Sequence, residues 1–258
     1  MEFRPCIDIH NGSVKQIVGG SLKDHGDYAQ ENFVSKQDAA FYAKLYREYE
    51  ITNGHIILLN PVTSSYYEET KKQALAALRE YPGGLQIGGG ITPDNAGGFL
   101  DAGASHVIVT SYVFKDGHVR YDRLEELARK IGKKNLVLDL SAGKRGDSYL
   151  IMTDRWQKYT ELELTGKTLD AFSAYCDEFL VHAVDVEGKS DGIEEELAAL
   201  LGSWGKIPVT YAGGVHSYED LRLLKKIGRD RINVTVGSAL DLFGGPLKFD
   251  EVLKECRS

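Results

Sequence analysis

Cysteine, methionine, tryptophan and proline are scarce: 3, 2, 2 and 6 of them in 258 residues. The cysteines (Cys6, Cys176, Cys256) are far apart and odd in number, which excludes a disulfide framework and a cysteine-rich zinc cluster. No Pro/Ser-rich linker, charge block or low-complexity run interrupts the chain, so residues 1–258 are expected to form a single domain. No run approaches the ~18 apolar residues of a membrane span. The opening Met-Glu-Phe-Arg-Pro-Cys lacks an apolar signal core. Together with the unpaired thiols, this points to a cytoplasmic protein with no membrane partner. Positive charge is also in deficit, 31 Lys plus Arg against 38 Asp plus Glu, for a net charge of −7. A general nucleic-acid binder, which needs a basic face, is therefore not expected. Gly-x-Gly-x-x-Gly and Walker patterns are absent, leaving dinucleotide and nucleoside triphosphate binding without support.

The chain does contain a rhythm. Eight short runs rich in Val, Ile and Leu read as buried parallel strands: Phe3–Ile9, His55–Leu59, Leu85–Gly88, His106–Thr110, Asn135–Leu140, Glu178–Val184, Ile207–Tyr211 and Arg231–Val236. An amphipathic stretch follows each run. Thr92-Pro93 and Ser217 with Asp220 read as helix starts, and Gly103, Gly132 and Gly228 as helix ends. Eight strand–helix pairs in this length predict an α/β fold, a single (β/α)8 TIM barrel. A doubly wound open sheet is the main rival. Two long connections, Asn11 to Lys36 and Ser141 to Gly166, follow strands one and five and would border the catalytic face.

The halves repeat. Ile7-Asp8-Ile9 matches Leu138-Asp139-Leu140, Gly89-Gly90-Ile91 matches Gly213-Gly214-Val215, and Val109-Thr110-Ser111 matches Val236-Gly237-Ser238, in the same order. A duplicated half-barrel would place Asp8 and Asp139 on opposite walls of one pocket. Burial raises a carboxyl pKa, so one carboxyl can donate a proton while the other accepts one. Gly89, Gly90, Thr110 and Ser111 on one side, and Gly213, Gly214, Gly237 and Ser238 on the other, would offer backbone N–H and hydroxyl donors to two phosphate groups. His10 and His182 border strands one and six, where each could act on a proton or orient an aspartate.

These residues resemble the phosphoribosylformimino-5-aminoimidazole carboxamide ribotide isomerases, the sugar isomerase family of histidine biosynthesis. The likeness begins with Arg4-Pro5-Cys6-Ile7-Asp8-Ile9-His10-Asn11-Gly12 and Val14-Lys15-Gln16. It continues through Gln86-Ile87-Gly88-Gly89-Gly90-Ile91, Val137-Leu138-Asp139-Leu140, Ala212-Gly213-Gly214-Val215 and Val236-Gly237-Ser238, covering essentially the whole chain. His10-Asn11-Gly12, Leu59-Asn60-Pro61 and the run from His182 to Gly188 resemble the eukaryote-type branch. The resemblance implies a cofactor-free Amadori rearrangement of a small bis-phosphorylated aminoaldose; no metal is expected, and the chain is expected to be a monomer, although its residues do not fix the oligomeric state. It further implies Asp8 as general base, Asp139 as its acid partner, and Trp156 as the indole that stacks on the substrate's imidazole. The sequence departs from the common bacterial pattern after strand six, where Val184-Asp185, Glu187-Gly188 and Ser190-Asp191-Gly192 stand in place of a Thr-Asp or Thr-Glu pair followed by Asp-Gly. The acid therefore stays open among Asp139, Asp185, Glu187 and Asp191, with Asp185 the first choice of the last three. Thr92 replaces the usual arginine after the strand-three glycines, and Asn60 a frequent aspartate. Two other readings remain: the sister cyclase of imidazole glycerol phosphate synthase, and a non-catalytic phosphosugar-binding barrel. Against the cyclase stand Gln16 and the Ile7-Asp8 opening. Acceptance of phosphoribosyl anthranilate is left open by the residues alone.

Overall fold

The computed structural model describes residues 1–18, 21–22, 27–187 and 192–258. The eight expected runs are all strands: β1 Cys6–His10, β2 Gly54–Leu58, β3 Leu85–Gly88, β4 Val107–Val109, β5 Leu136–Arg145, β6 Glu178–Ala183, β7 Val209–Ala212 and β8 Asn233–Thr235. Each pairs in parallel with the next, in register such as Asp8 beside Ile57 and Leu180 beside Asp139. The ring closes where Arg4 N–H donates to the Val234 carbonyl at 2.8 Å and Val234 N–H to the Glu2 carbonyl at 3.0 Å. This is the predicted (β/α)8 barrel, and the open-sheet alternative falls.

The helices between the strands are α1 Ala39–Glu48, α2 Tyr67–Glu80, α3 Pro93–Asp101, α4 Tyr121–Ile131, α5 Gly166–Ser173, α6 Glu195–Trp204, α7 Tyr218–Ile227 and α8 Phe249–Arg257. Each turns an apolar stripe to the sheet. Leu124 and Leu127 of α4, and Leu221 and Leu224 of α7, lie three residues apart and are fully buried. Burial of each such leucine contributes about 2 kcal/mol. At the start of α7, Asp220 N–H donates to Ser217 Oγ at 3.1 Å and Ser217 N–H returns the bond to Asp220 Oδ2 at 2.9 Å. At α3, Thr92 N–H donates to Asn95 Oδ1 at 2.9 Å. Gly228 closes α7 with an ordinary negative φ, whereas Gly205, not singled out from sequence, closes α6 in the left-handed region. Among the described residues no helix is long and apolar enough to cross a membrane.

Both long connections contain β structure rather than open loop. In the first, Ser13–Ile17 folds back on β1 and pairs with Glu31–Val34. In the second, β5 runs on to Arg145 and leads into Ser148–Thr153 and Lys158–Glu163, a three-stranded antiparallel meander above the barrel. Period-two alternation is weak in both, because their faces are covered unevenly.

Inside the ring, a small apolar cluster of Ile108, Val137, Leu180 and Ala212, with Ile57 against it, fills the middle. Toward the N-terminal ends of the strands lies a buried polar plug. The Arg4 guanidinium pairs with the Glu178 carboxylate. That carboxylate also accepts from Gln86 Nε2 at 3.0 Å and Thr210 Oγ1 at 2.8 Å. Removing one partner strands a buried charge. Glu178→Leu should cost about 3–5 kcal/mol in urea unfolding, and adding Arg4→Met should recover most of it. A loss below about 1 kcal/mol for the single variant would contradict this role for the pair.

Candidate active site

At the C-terminal ends of the strands opens a cavity of about 650 Å³ floored by Ile57, Ile108 and Ala212. Strand alternation sends every second side chain of β1 and β5 inward. Asp8 and Asp139 therefore both line it, from strands on opposite sides of the ring. Gly89, Gly90, Ser111, Gly213, Gly214, Gly237, Ser238, Thr110 and Trp156 line the same cavity.

The repeat extends to backbone detail. Gly89 and Gly90 (φ 99° and 66°) and Gly213 and Gly214 (φ 127° and 75°) all sit at positive φ. A Cβ on Gly89 would stand 2.1 Å from the Leu58 carbonyl oxygen at the end of β2, and one on Gly213 would stand 3.0 Å from that of Ala183 at the end of β6. Only glycine lets these turns press against the preceding strand and leave their N–H groups to a ligand. The Ser111 and Ser238 hydroxyls have no hydrogen-bond partner among the described residues. The Thr110 hydroxyl does: it donates to Asp139 Oδ2 at 3.1 Å.

Asp139 is held on both oxygens, because His182 Nδ1 lies 2.9 Å from its Oδ1. Burial alone would depress the His182 pKa. The charge and hydrogen bond of Asp139, with Glu187 and Asp8 adding, outweigh that and lift it to about 9. Across the cavity, burial pushes the Asp8 carboxyl up to about 7, and Glu187 adds to the rise. The charge of His182 and a 3.3 Å hydrogen bond from Gln16 Nε2 limit it. Gln16 comes from the first hairpin and fills the space a side chain on Gly237 would take, its Oε1 2.6 Å from that Cβ position. In the sequence Gln16 counted as part of the first-strand likeness and against the cyclase, not as a site residue. Its contact with Asp8 crosses from a hairpin that periodicity did not reveal. His55, deeper in the barrel, is pushed down to about 3 by burial, with the charge of His182 adding, and stays neutral.

The acid candidates after strand six separate. Asp185 is outside the cavity lining, and its carboxylate accepts the Lys144 N–H at 2.6 Å. Glu187 lines the cavity instead, with Oε2 buried and without a hydrogen-bond partner among the described residues. The turn after β6 places its second acidic residue, not its first, over the mouth. Asp191 lies outside the described residues. Lys144 pairs with Glu196 at 2.7 Å on the exposed flank of the meander, a surface role. Asn60 ties the rim together: its Oδ1 accepts from Asn11 N–H and Thr70 Oγ1, both at 2.8 Å, and its Nδ2 donates to Asn11 Oδ1 at 2.7 Å.

Trp156 sits at the turn of the meander. Its Nε1 donates to Ser141 Oγ at 2.9 Å, and its ring lies 6.0 Å from that of His182. Asp154, Arg155 and Trp156 are all left-handed, at φ 53°, 54° and 67°. Holding non-glycine residues there costs about 1–3 kcal/mol each, strain of the kind concentrated at ligand-binding turns.

A carboxylate–imidazole cluster between two repeat-related glycine–serine turns, at the mouth of a parallel barrel, marks the catalytic face of a (β/α)8 enzyme. The chain belongs to the histidine biosynthesis protein family, whose sequence model matches residues 2–245. It is similar to the chloroplastic 1-(5-phosphoribosyl)-5-((5-phosphoribosylamino)methylideneamino)imidazole-4-carboxamide isomerase of Medicago truncatula, at 51% identity over 257 residues, 98% of this chain and 81% of that protein. It is also similar to proteins of the same activity name from Neurospora crassa, at 43% identity over 257 residues (98% and 96% of the two chains), and Saccharomyces cerevisiae, at 42% over 258 residues (97% and 96%).

The raised Asp8 pKa has a sign for stability. Below about pH 4 the carboxyl is protonated folded and unfolded, and nothing is lost. As pH rises from the ordinary 3.8 through about 7, the unfolded chain ionises first and the native state loses ground. Asp8→Asn should therefore be more stable than the native sequence at pH 8, by about 1–2 kcal/mol or roughly 2–8 °C in Tm. The gain should vanish near pH 4. Equal Tm differences at both pH values would contradict the assigned titration.

Proposed function

We propose that this chain is the histidine-biosynthesis isomerase that turns the phosphoribosylformimino aminoimidazole carboxamide ribotide from aminoaldose to aminoketose. The observation that carries the reading is the placing of Asp8 and the Asp139–His182 pair on facing walls of one cavity, between two glycine–serine rims. The relatives named above carry this activity in their names.

An Amadori rearrangement needs an acid at the ribose ring oxygen and a base at the carbon-two proton. Asp8, with its pKa near 7, is a carboxylate in half the molecules at neutral pH and basic enough to take a proton from carbon. The Asp139–His182 pair supplies the acid side. Gly89, Gly90 and Ser111 take one phosphate, and Gly213, Gly214, Gly237 and Ser238 the other. Two fixed phosphates stretch the substrate across the mouth and hold its reacting sugar between the walls, which replaces a search in solution by a positioned reaction. Trp156, already beside His182, closes over the imidazole carboxamide. The enzyme works as a monomer, without metal or cofactor, in the cytoplasm, where Cys6, Cys176 and Cys256 stay as buried thiols.

Purified protein should convert the aminoaldose to the aminoketose, followed by absorbance or chromatography. Asp8→Asn should lower kcat by at least about 10³-fold with KM little changed, since it removes the base and leaves both rims. Unimpaired turnover in that variant would overturn the assignment of Asp8. Failure of the native protein to act on the aminoaldose, together with conversion of the ketose and ammonia, would move the chain to the cyclase reading. In a second variant, Gly89→Ala, the added Cβ meets the Leu58 carbonyl, so KM should rise at least about tenfold. An unchanged KM would remove that turn from the phosphate site.

A further inference from the structure

We propose that Gln16 is the positioning residue that aims Asp8 at the substrate, and that Gly237 is without a side chain so that Gln16 fits. The assignment rests on the reading of Asp8 as the base and adds the group that holds it.

Gln16 does not belong to the ring of eight strands. It stands in the Ser13–Ile17 strand of the first hairpin, where the pairing with Glu31–Val34 slips. Gln16 is opposite Phe33 and Ile17 opposite Glu31, which leaves Asn32 unmatched. Bulges of this kind re-aim side chains beside active sites. The Gln16 side chain enters the cavity and is buried. Its Nε2 has two hydrogens and two acceptors within reach, Asp8 Oδ2 at 3.3 Å and Cys6 Sγ at 3.5 Å. Donation to both fixes the plane of the amide. With Nε2 turned to Asp8 and Cys6, Oε1 points to Gly237. A Cβ on Gly237 would stand 2.6 Å from Oε1, 3.6 Å from Gln16 Cδ and 4.0 Å from Cys6 Sγ. Gly237 is not one of the positive-φ glycines, so its backbone does not require glycine; the space does.

The groups around Asp8 leave this role to Gln16. Lys15, its neighbour in the chain, pairs with Glu31 instead. Cys6 on β1 gives Asp8 a smaller hydrogen-bonding support, and burial keeps that thiol protonated. Tyr46 on α1 lies behind, its hydroxyl donating to the Cys6 carbonyl at 3.3 Å, and burial keeps it neutral too. His182 on β6 favours the Asp8 carboxylate by charge alone. Asp139 lines the far wall on β5. Glu187, after β6, acts in the opposite sense: as a like charge it raises the Asp8 pKa. No hydrogen bond joins Glu187 to Asp8 among the described residues, and Glu187 Oε2 lies 3.0 Å from the place of a Cβ on Gly213. A neutral amide favours the ionised carboxylate without cancelling its charge, and it sets direction, which a distant charge does not.

Direction matters because a base that takes a proton from carbon must keep a lone pair on the C–H axis. Gln16 holds Oδ2 and so sets the rotation of the carboxyl group about its bond to Cβ. The amide lies between the base and the Gly237–Ser238 turn, and a change at either end reaches the other through it.

The test compares kcat/KM against pH for the native protein, Gln16→Met and Gly237→Ala, using the bis-phosphorylated aminoaldose. A carboxyl NMR titration of Asp8 in the unliganded proteins accompanies it. In the native protein the acid limb and the titration should both lie near pH 7. Gln16→Met keeps the volume and loses the donor. It should move both up by about one pH unit and lower kcat at least about tenfold, with KM within about threefold. Gly237→Ala should move both the same way, because its Cβ displaces the amide. Added to Gln16→Met, it should move them no further. A limb that stays or moves down in Gln16→Met, or a Gly237→Ala shift that adds to it in full, would overturn the role of Gln16. Should Gln16→Met fail to fold, Gly237→Ala decides: an upward Asp8 titration supports the role and an unmoved one overturns it. Absence of any aminoaldose conversion by the native protein would sink the Amadori reading, while the Asp8 titration would still decide whether Gln16 holds that carboxyl.

Discussion

The fold's chemistry depends on keeping opposite charges close together inside a ring of strands from which most water is excluded. An isolated carboxylate or imidazolium there would cost several kcal/mol and would neutralise instead. His182 stays charged because Asp139 lies 2.9 Å from its Nδ1, and Thr110 Oγ1 completes the bonding of Asp139. Asp8 has only the weaker support of Gln16 and the more distant His182, so its pKa settles near 7. One barrel rim thus contains a strongly held ion pair and a loosely held carboxylate. That difference in support is what separates the two walls of a site built from two copies of one half.

The same duplication explains where the site can vary. Gly89-Gly90 and Gly213-Gly214 share positive φ, and a Cβ on Gly89 or Gly213 would crowd the preceding strand's last carbonyl, so both turns are constrained by backbone. The residues between rims and floor are free to differ. Gln16 enters from a hairpin after β1, while Trp156 enters from a meander after β5. The halves keep the glycine-turn geometry and diverge in what the long connections bring to the cavity.

Much of this was legible in the chain. The eight strands follow from dense runs of Val, Ile and Leu, because strands buried on both faces leave no polar alternation to confuse the reading. Asp8, Asp139 and the glycine rims were legible as interruptions of that pattern at matching positions. The two long connections were not, since their strands are short, unevenly covered and paired at bulges. Thr110 looked like a phosphate donor because its hydroxyl type and place fit; its bond to Asp139 depends on how β4 meets β5 and is invisible in one dimension. Asp185 and Glu187 are two residues apart, and only the path of the turn after β6 decides which one faces the cavity. His182 and Gln16 owe their roles to partners 43 and 8 residues away in sequence. Spacing within one strand carries no trace of either.

The most direct test of the shared-site claim is a crystal structure with the bis-phosphorylated aminoketose bound. The account predicts one phosphate at Gly89, Gly90 and Ser111 and the other at Gly213, Gly214, Gly237 and Ser238. The reacting sugar should lie between them, with Asp8 and the Asp139–His182 pair within about 3.5 Å of its opposite sides. A sugar in contact with only one wall, or both phosphates on a single rim, would contradict it.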